Sequence, residues 1–179
     1  MRHTTTTPTG VERTFGNDEL IVTKTDLKGR ITYANDVFLR VSGYDEDDVL
    51  DKPHNIIRHP DMPRCLFSLL WKRLEQRHEM FAYVVNLASD GAHYWVFAHV
   101  TPSYDLNDTV VGYHSNRRVP SRAAIAEVEP LYRSLAAVER RHQHTPDAIA
   151  ASTAELDAYI AGRGSSYDEM VWSLTGARA

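Results

Sequence analysis

Short β-prone runs and helix-spaced apolar stripes follow one another along the chain in an order that predicts its architecture. Leu20–Thr25 and Arg30–Ala34 are strand-length runs separated by Asp26-Leu27-Lys28-Gly29, residues suited to a tight turn, and predict a hairpin. Asn35 or Asp36 then caps a short helix whose apolar stripe is Val37, Phe38 and Val41 and which stops at Ser42-Gly43. A second short helix starts at Asp45, its acidic run complementing the positive end of the helix dipole. Asp61 as N-cap with Pro63 in the first turn opens a third helix, with Leu66, Leu69, Leu70 and Leu74 on one face. Strands are predicted over Phe81–Ala88, His93–Tyr104 and Thr109–Arg117, the first two joined across Asp90-Gly91. The order β-β-α-α-loop-α-β-β-β describes an α+β fold, an antiparallel sheet with helices gathered on one face.

Beyond Ser121 the period changes. Ile125, Val128, Leu131, Leu135 and Val138 share a helical face that Pro130 is placed to kink or interrupt. Thr145-Pro146-Asp147 restarts a helix carrying Ile149, Leu156, Tyr159 and Ile160, and Ser166 to Glu169 has capping-box spacing for a last one. The expected organisation is a flexible N-terminal tail (1–14), a domain over 15–120 and a C-terminal helical extension over 121–179.

With 179 residues and a formal net charge of -4, the chain offers no broad basic face, and nucleic acid is not an expected partner. The single cysteine, Cys65, rules out an intramolecular disulfide framework and reads as a small buried hydrophobe. No window approaches the roughly 18 continuous apolar residues that a membrane span needs. A cytoplasmic protein without membrane insertion is expected. Nucleophile elbows, phosphate-cradling glycine loops and kinase signatures are absent, so an enzyme is not expected.

The densest chemistry lies between Lys52 and Pro63, where three prolines bracket His54, Arg58, His59 and Asp61. Each proline fixes its own φ and biases its predecessor toward extended geometry, so the segment should be a stiffened loop that presents polar groups in a set arrangement. Arg58 offers a planar fork for phosphate or carboxylate, though pairing with Asp61 at the surface is an even alternative from spacing alone. The two histidines donate, accept or titrate near neutral pH. His54, His59 and Asp61 form only a weak metal signal, with no His-Glu-x-x-His or cysteine pair, and no metal site is expected. Asn86 shares a strand face with Val84 and Ala88, opposite Tyr83 and Val85, and alternation does not tell which face is inward.

The element order, with Thr25 to Gly29, Tyr33-Ala34-Asn35, Ser42-Gly43-Tyr44 and His93 to Val96, resembles a PAS sensory domain. Pro53-His54-Asn55-Ile56-Ile57-Arg58-His59-Pro60-Asp61-Met62-Pro63 resembles, more narrowly, the signature of the FAD-binding PAS domain at the front of bacterial aerotaxis receptors. The likeness covers about residues 15–135 and extends to Val128-Glu129-Pro130-Leu131-Tyr132. It implies a five-stranded PAS sheet with FAD held between the sheet and the loop and helices over it. Carried over by position, the cofactor-binding residues are His54, Arg58, His59, Asp61, Asn86 and Asn35. The tryptophan that many relatives carry near residue 80 is replaced by Met80 or Phe81. The implied function is a redox or oxygen sensor, soluble and without its own output domain, that signals through a chemoreceptor or histidine-kinase partner and forms a homodimer. Alternatives are a ligand-free interaction or dimerisation module, a haem-binding PAS sensor or a small electron-transfer flavoprotein. The extension from Thr145 to Leu174 is expected to cover the sheet or to dock a partner.

Overall fold

The structure, a computed structural model, describes residues 6–176. Strands β1 (Ile21–Thr25), β2 (Ile31–Ala34), β3 (Met80–Leu87), β4 (His93–Tyr104) and β5 (Val110–Arg118) form one antiparallel sheet in the order β2-β1-β5-β4-β3. Helices α1 (Asp36–Ser42), α2 (Glu46–Val49) and α3 (Arg64–Glu75) lie between β2 and β3 in the chain, with a 3₁₀ turn at His54–Ile57 in the proline-braced loop. After the sheet come α4 (Arg122–Glu139), α5 (Thr145–Gly162) and α6 (Tyr167–Ser173), and α4 runs through Pro130 without interruption.

Local chemistry explains the short elements. Asn35 caps α1 by accepting the Phe38 amide at 3.0 Å, and Gly43 closes it in the left-handed conformation with its amide on the Leu39 carbonyl. The β3–β4 turn needs Gly91, at φ +87°, because a Cβ there would meet the Thr7 carbonyl oxygen at 2.3 Å. Of the segment read as a flexible tail, Thr9 to Arg13 run beside the start of β4. Thr9 and Arg13 donate amides to the Gly91 and His93 carbonyls, and the Arg13 guanidinium reaches the Val41 carbonyl at 2.7 Å. Residues 1–5 of that tail and 177–179 of the extension lie outside the described residues.

The helix α3 does not start as the sequence suggests. Asp61 is not its cap: the carboxylate pairs with Arg140 at 2.8 Å, and Pro63 occupies the N-cap position. Instead, Glu139 at the end of α4 accepts the Arg64 and Cys65 amides at 2.7 and 3.1 Å and the Ser152 hydroxyl at 2.9 Å. A tertiary carboxylate thus satisfies the orphan donors that a local cap normally takes.

The sheet separates two apolar cores. On the inner face Ile21, Ile31, Phe38, Val41, Val49, Ile57, Tyr94 and Val96 pack together. On the outer face Tyr83, Val85 and Trp95 pack against Val128, Leu131, Tyr132, Leu135, Leu156 and Met170 of the extension. Tyr132 and Tyr167 donate to the Tyr83 and Phe81 carbonyls at 2.6 and 3.1 Å, and the void left among Tyr83, Val128, Leu156 and Met170 is only about 10 Å³. The extension therefore covers the outer face over β3 and β4.

The Asn35 side chain also accepts the Val22 amide and donates to the Leu20 carbonyl, tying the cap to β1. Replacing Asn35 by Ala is expected to destabilise the fold by about 1–3 kcal/mol, above a simple cap loss because three partners are stranded. The urea unfolding midpoint measures it.

Candidate functional site

A cavity of about 740 Å³ lies between the inner face of the sheet, the proline-braced loop and α3. Its floor is Val84 and Asn86 of β3, Ala98 and Val100 of β4, Tyr113, Ser115 and Arg117 of β5 and Thr23 of β1. The volume falls in the range of small-molecule and cofactor sites. The loop makes the lid by pairing with both edges of the sheet: Pro53 bridges Arg30 beside β2, and Arg58 bridges Asn86 on β3. Phe67, Leu70, Trp71 and Leu74 of α3 form the apolar wall, with Trp71 edge-on to Tyr113 at 5.4 Å.

The residues singled out from the sequence divide into two sets. His54, Arg58 and Asn86 line the cavity. Arg58 lies over the Phe67 ring at 5.3 Å and donates through Nη2 to the Met62 carbonyl, which leaves its buried Nε without a partner. Burial, and then the neighbouring Arg64, pull its pKa down, and Glu139 opposes them. Asn86 is 5% exposed and its amide nitrogen is unpartnered, so the inner face of β3 is the one it shares with Val84. His59, Asp61 and Asn35 are not part of the cavity wall. His59 is buried against His93, and its Nδ1 accepts the Asp61 amide at 3.1 Å, so the ring is neutral and the Asp61 carboxylate 3.9 Å away is not an ion-pair partner. Burial is the main reason its pKa falls. Asn35 spends its side chain on the frame.

This sequence and fold have counterparts among known proteins. A family model described as the PAS fold matches residues 21–115. The chain belongs to the PAS family. The aerotaxis receptor of Escherichia coli (strain K12) is 40% identical over 121 residues, covering 68% of this chain and 24% of the receptor. The nitrogen fixation regulatory protein of Klebsiella pneumoniae is 32% identical over 81 residues, 45% of this chain and 16% of that protein. The chain thus spans a quarter or less of the length of these relatives. Among solved structures, the PAS domain of a Colwellia psychrerythraea protein superposes with a TM-score of 0.52 at 23% identity, covering 56% of this chain and 85% of that one. A light-oxygen-voltage domain whose mechanism was probed with a flavin analogue gives 0.54 at 21% identity, covering 62% and 84%. Both likenesses are of fold. Among the described residues no helix is long and apolar enough to cross a membrane, and no group of three His, Cys, Asp or Glu is placed to hold a metal ion.

The PAS cavity contains a buried cation that the sequence did not flag. Arg117 is 4% exposed and, among the described residues, has no carboxylate partner. Its Nη2 donates to Thr23 Oγ1 at 2.7 Å and to His54 Nε2 at 2.6 Å, while Nη1 is buried and unpartnered. Burial brings the Arg117 pKa down to about 10, so it stays cationic at neutral pH. The same burial, helped by Arg117, depresses His54 to about 3. His54 is therefore neutral and accepts through Nε2, which places its proton on Nδ1. Nothing in the sequence marks Arg117 as inward, because Asn116 and Arg118 beside it are equally polar. Trp71 was more legible: Phe67, Leu70, Trp71 and Leu74 have the i, i+3, i+4, i+7 spacing of a single helix face.

The depressed His54 has a definite consequence for stability. Between its ordinary pKa of 6.5 and its folded value of about 3, the unfolded chain binds a proton that the folded chain does not. Its contribution is complete above pH 6.5 and is lost as the pH falls toward 3, with a slope of up to about 1.4 kcal/mol per pH unit. Urea unfolding at stepped pH should show this decline, and His54→Gln should flatten it. An equal slope in the variant overturns the assignment.

Proposed function

We propose that the chain binds FAD in this cavity and senses redox or oxygen status, passing the signal to another protein. The observation that carries this reading is the set of unpartnered buried donors around one hollow: Asn86 Nδ2, Arg117 Nη1 and Arg58 Nε. Buried donors of this kind are costly when unmet, so they favour an acceptor-rich, electron-rich occupant. The 40% identity to the aerotaxis receptor over 121 residues adds support.

Bound flavin supplies a reversible electron acceptor whose charge changes with its redox state. The chain's own groups fit such an occupant. Asn86 offers an amide to ring carbonyl or imine positions, and Arg117 holds a positive charge at the buried floor. His54 and Thr23 orient the guanidinium, and because His54 is neutral it adds no competing charge. Arg58 Nε faces the same space from the loop. His59, Asp61 and Asn35 act by keeping the loop and α1 in place. The hydrogen bonds of the Arg117–His54–Thr23 network depend on the charge in the cavity, which gives the two redox states the differential contacts that a switch requires.

In this reading the protein acts by changing contacts, not by turnover, in the cytoplasm and as a homodimer. Its partner is a chemoreceptor or histidine-kinase type of signalling protein. A haem reading has less support, since His54 already spends Nε2 on Arg117.

The purified chain, or the chain mixed with FAD, is expected to show flavin absorbance, and extraction should release FAD. Arg117→Met and Asn86→Leu should each weaken FAD binding about tenfold, or about 1.4 kcal/mol. Arg117→Met should leave the flavin-free unfolding midpoint no lower, because it removes an unneutralised buried charge. A chain that stays colourless with added FAD overturns the reading.

A further inference from the structure

We propose that the C-terminal extension is part of the ligand site, so that filling the cavity and docking α5 strengthen one another. This rests on the flavin reading above but concerns a part of the chain outside the matched PAS region. Thr145 and Ile149, in the first turns of α5, line the same cavity as Asn86 and Arg117, whose buried polar atoms are unpartnered. Thr145 is fastened to the cavity rim, with its hydroxyl accepting from Arg64 Nη1 at 3.0 Å.

The attachment is continuous with the loop. Glu139 gathers the start of α3 and Ser152 of α5 on one carboxylate oxygen. The segment after Arg58 leads straight into that clamp. On the other side of the sheet, Tyr132 holds the Tyr83 carbonyl, one residue from cavity-lining Val84. Among the described residues that line the cavity, Arg58, Arg64, Lys72 and Arg117 are basic and Glu75 alone is acidic. That balance suits the phosphate-bearing part of a dinucleotide at the rim, next to Thr145. A ligand touching both the sheet and α5 binds better when α5 is docked, and by reciprocity must hold α5 more firmly.

Hydrogen exchange of the full chain with and without FAD, together with FAD titrations of Glu139→Ala and Ile149→Ala, tests this. FAD is expected to slow exchange across residues 145–160, and each variant to raise the FAD dissociation constant five- to tenfold or more, within the usual range of coupling. The exchange measurement uses the unaltered chain and does not depend on either variant folding. If the chain binds FAD with unchanged exchange in α5 and unchanged affinity in the variants, the linkage is overturned while the flavin reading stands. If no flavin binds, both fall.

Discussion

The loop that pairs with both edges of the sheet is the constraint on which the rest depends. In a flat five-stranded sheet, with strands about 4.8 Å apart, partners beyond the two edges would stand about 29 Å apart. Pro53 and Arg58 are separated by five peptide units, a reach of about 18 Å when fully extended. Since Pro53 bridges Arg30 and Arg58 bridges Asn86, the sheet has to curl toward the loop. The hollow enclosed by that curl is the cavity. The proline-rich composition matters here because it restricts the loop before any ligand is present. The same pairing meets each sheet edge at one bridge, where the edge would otherwise present unpaired backbone groups.

Within the hollow, the chain places a cation where burial is expensive. Arg117 is held by a threonine and a neutral histidine instead of a carboxylate, and one of its nitrogens is left unsatisfied. A core selected for stability alone would fill this position with an apolar side chain. The charge, the orphaned Asn86 amide and the depressed His54 form one arrangement: neutral His54 holds the guanidinium, while Arg117 Nη1 and Asn86 Nδ2 stay unpartnered. Strain of this kind at a site, set in a well-packed surround, is the usual mark of function.

The surround is well packed because the chain supplies its own cover for the outer face of the sheet. Trp95, Phe97 and Phe81 would be a large exposed aromatic surface without α4 to α6. The cover is not a separate layer, since Glu139 and Thr145 carry it round to the loop and the rim of the cavity.

Much of this was legible along the chain. Turn chemistry at Asp26 to Gly29 and Asp90-Gly91, the Asn35 cap and the apolar stripes are local, and they determined the elements and their order. The proline-braced string pointed to the loop. Which polar residues face one another depends on how distant segments pack. Alternation cannot say which side of β3 is inward, and β5 is polar on both faces around Arg117, so no pattern separates that arginine from Arg118. Nor does spacing reveal that Glu139, 75 residues from Arg64, caps α3 in place of Asp61. Burial, pKa and hydrogen-bond satisfaction are properties of neighbours brought together from distant parts of the chain, and they exist only once the sheet has curled and the extension has closed over it.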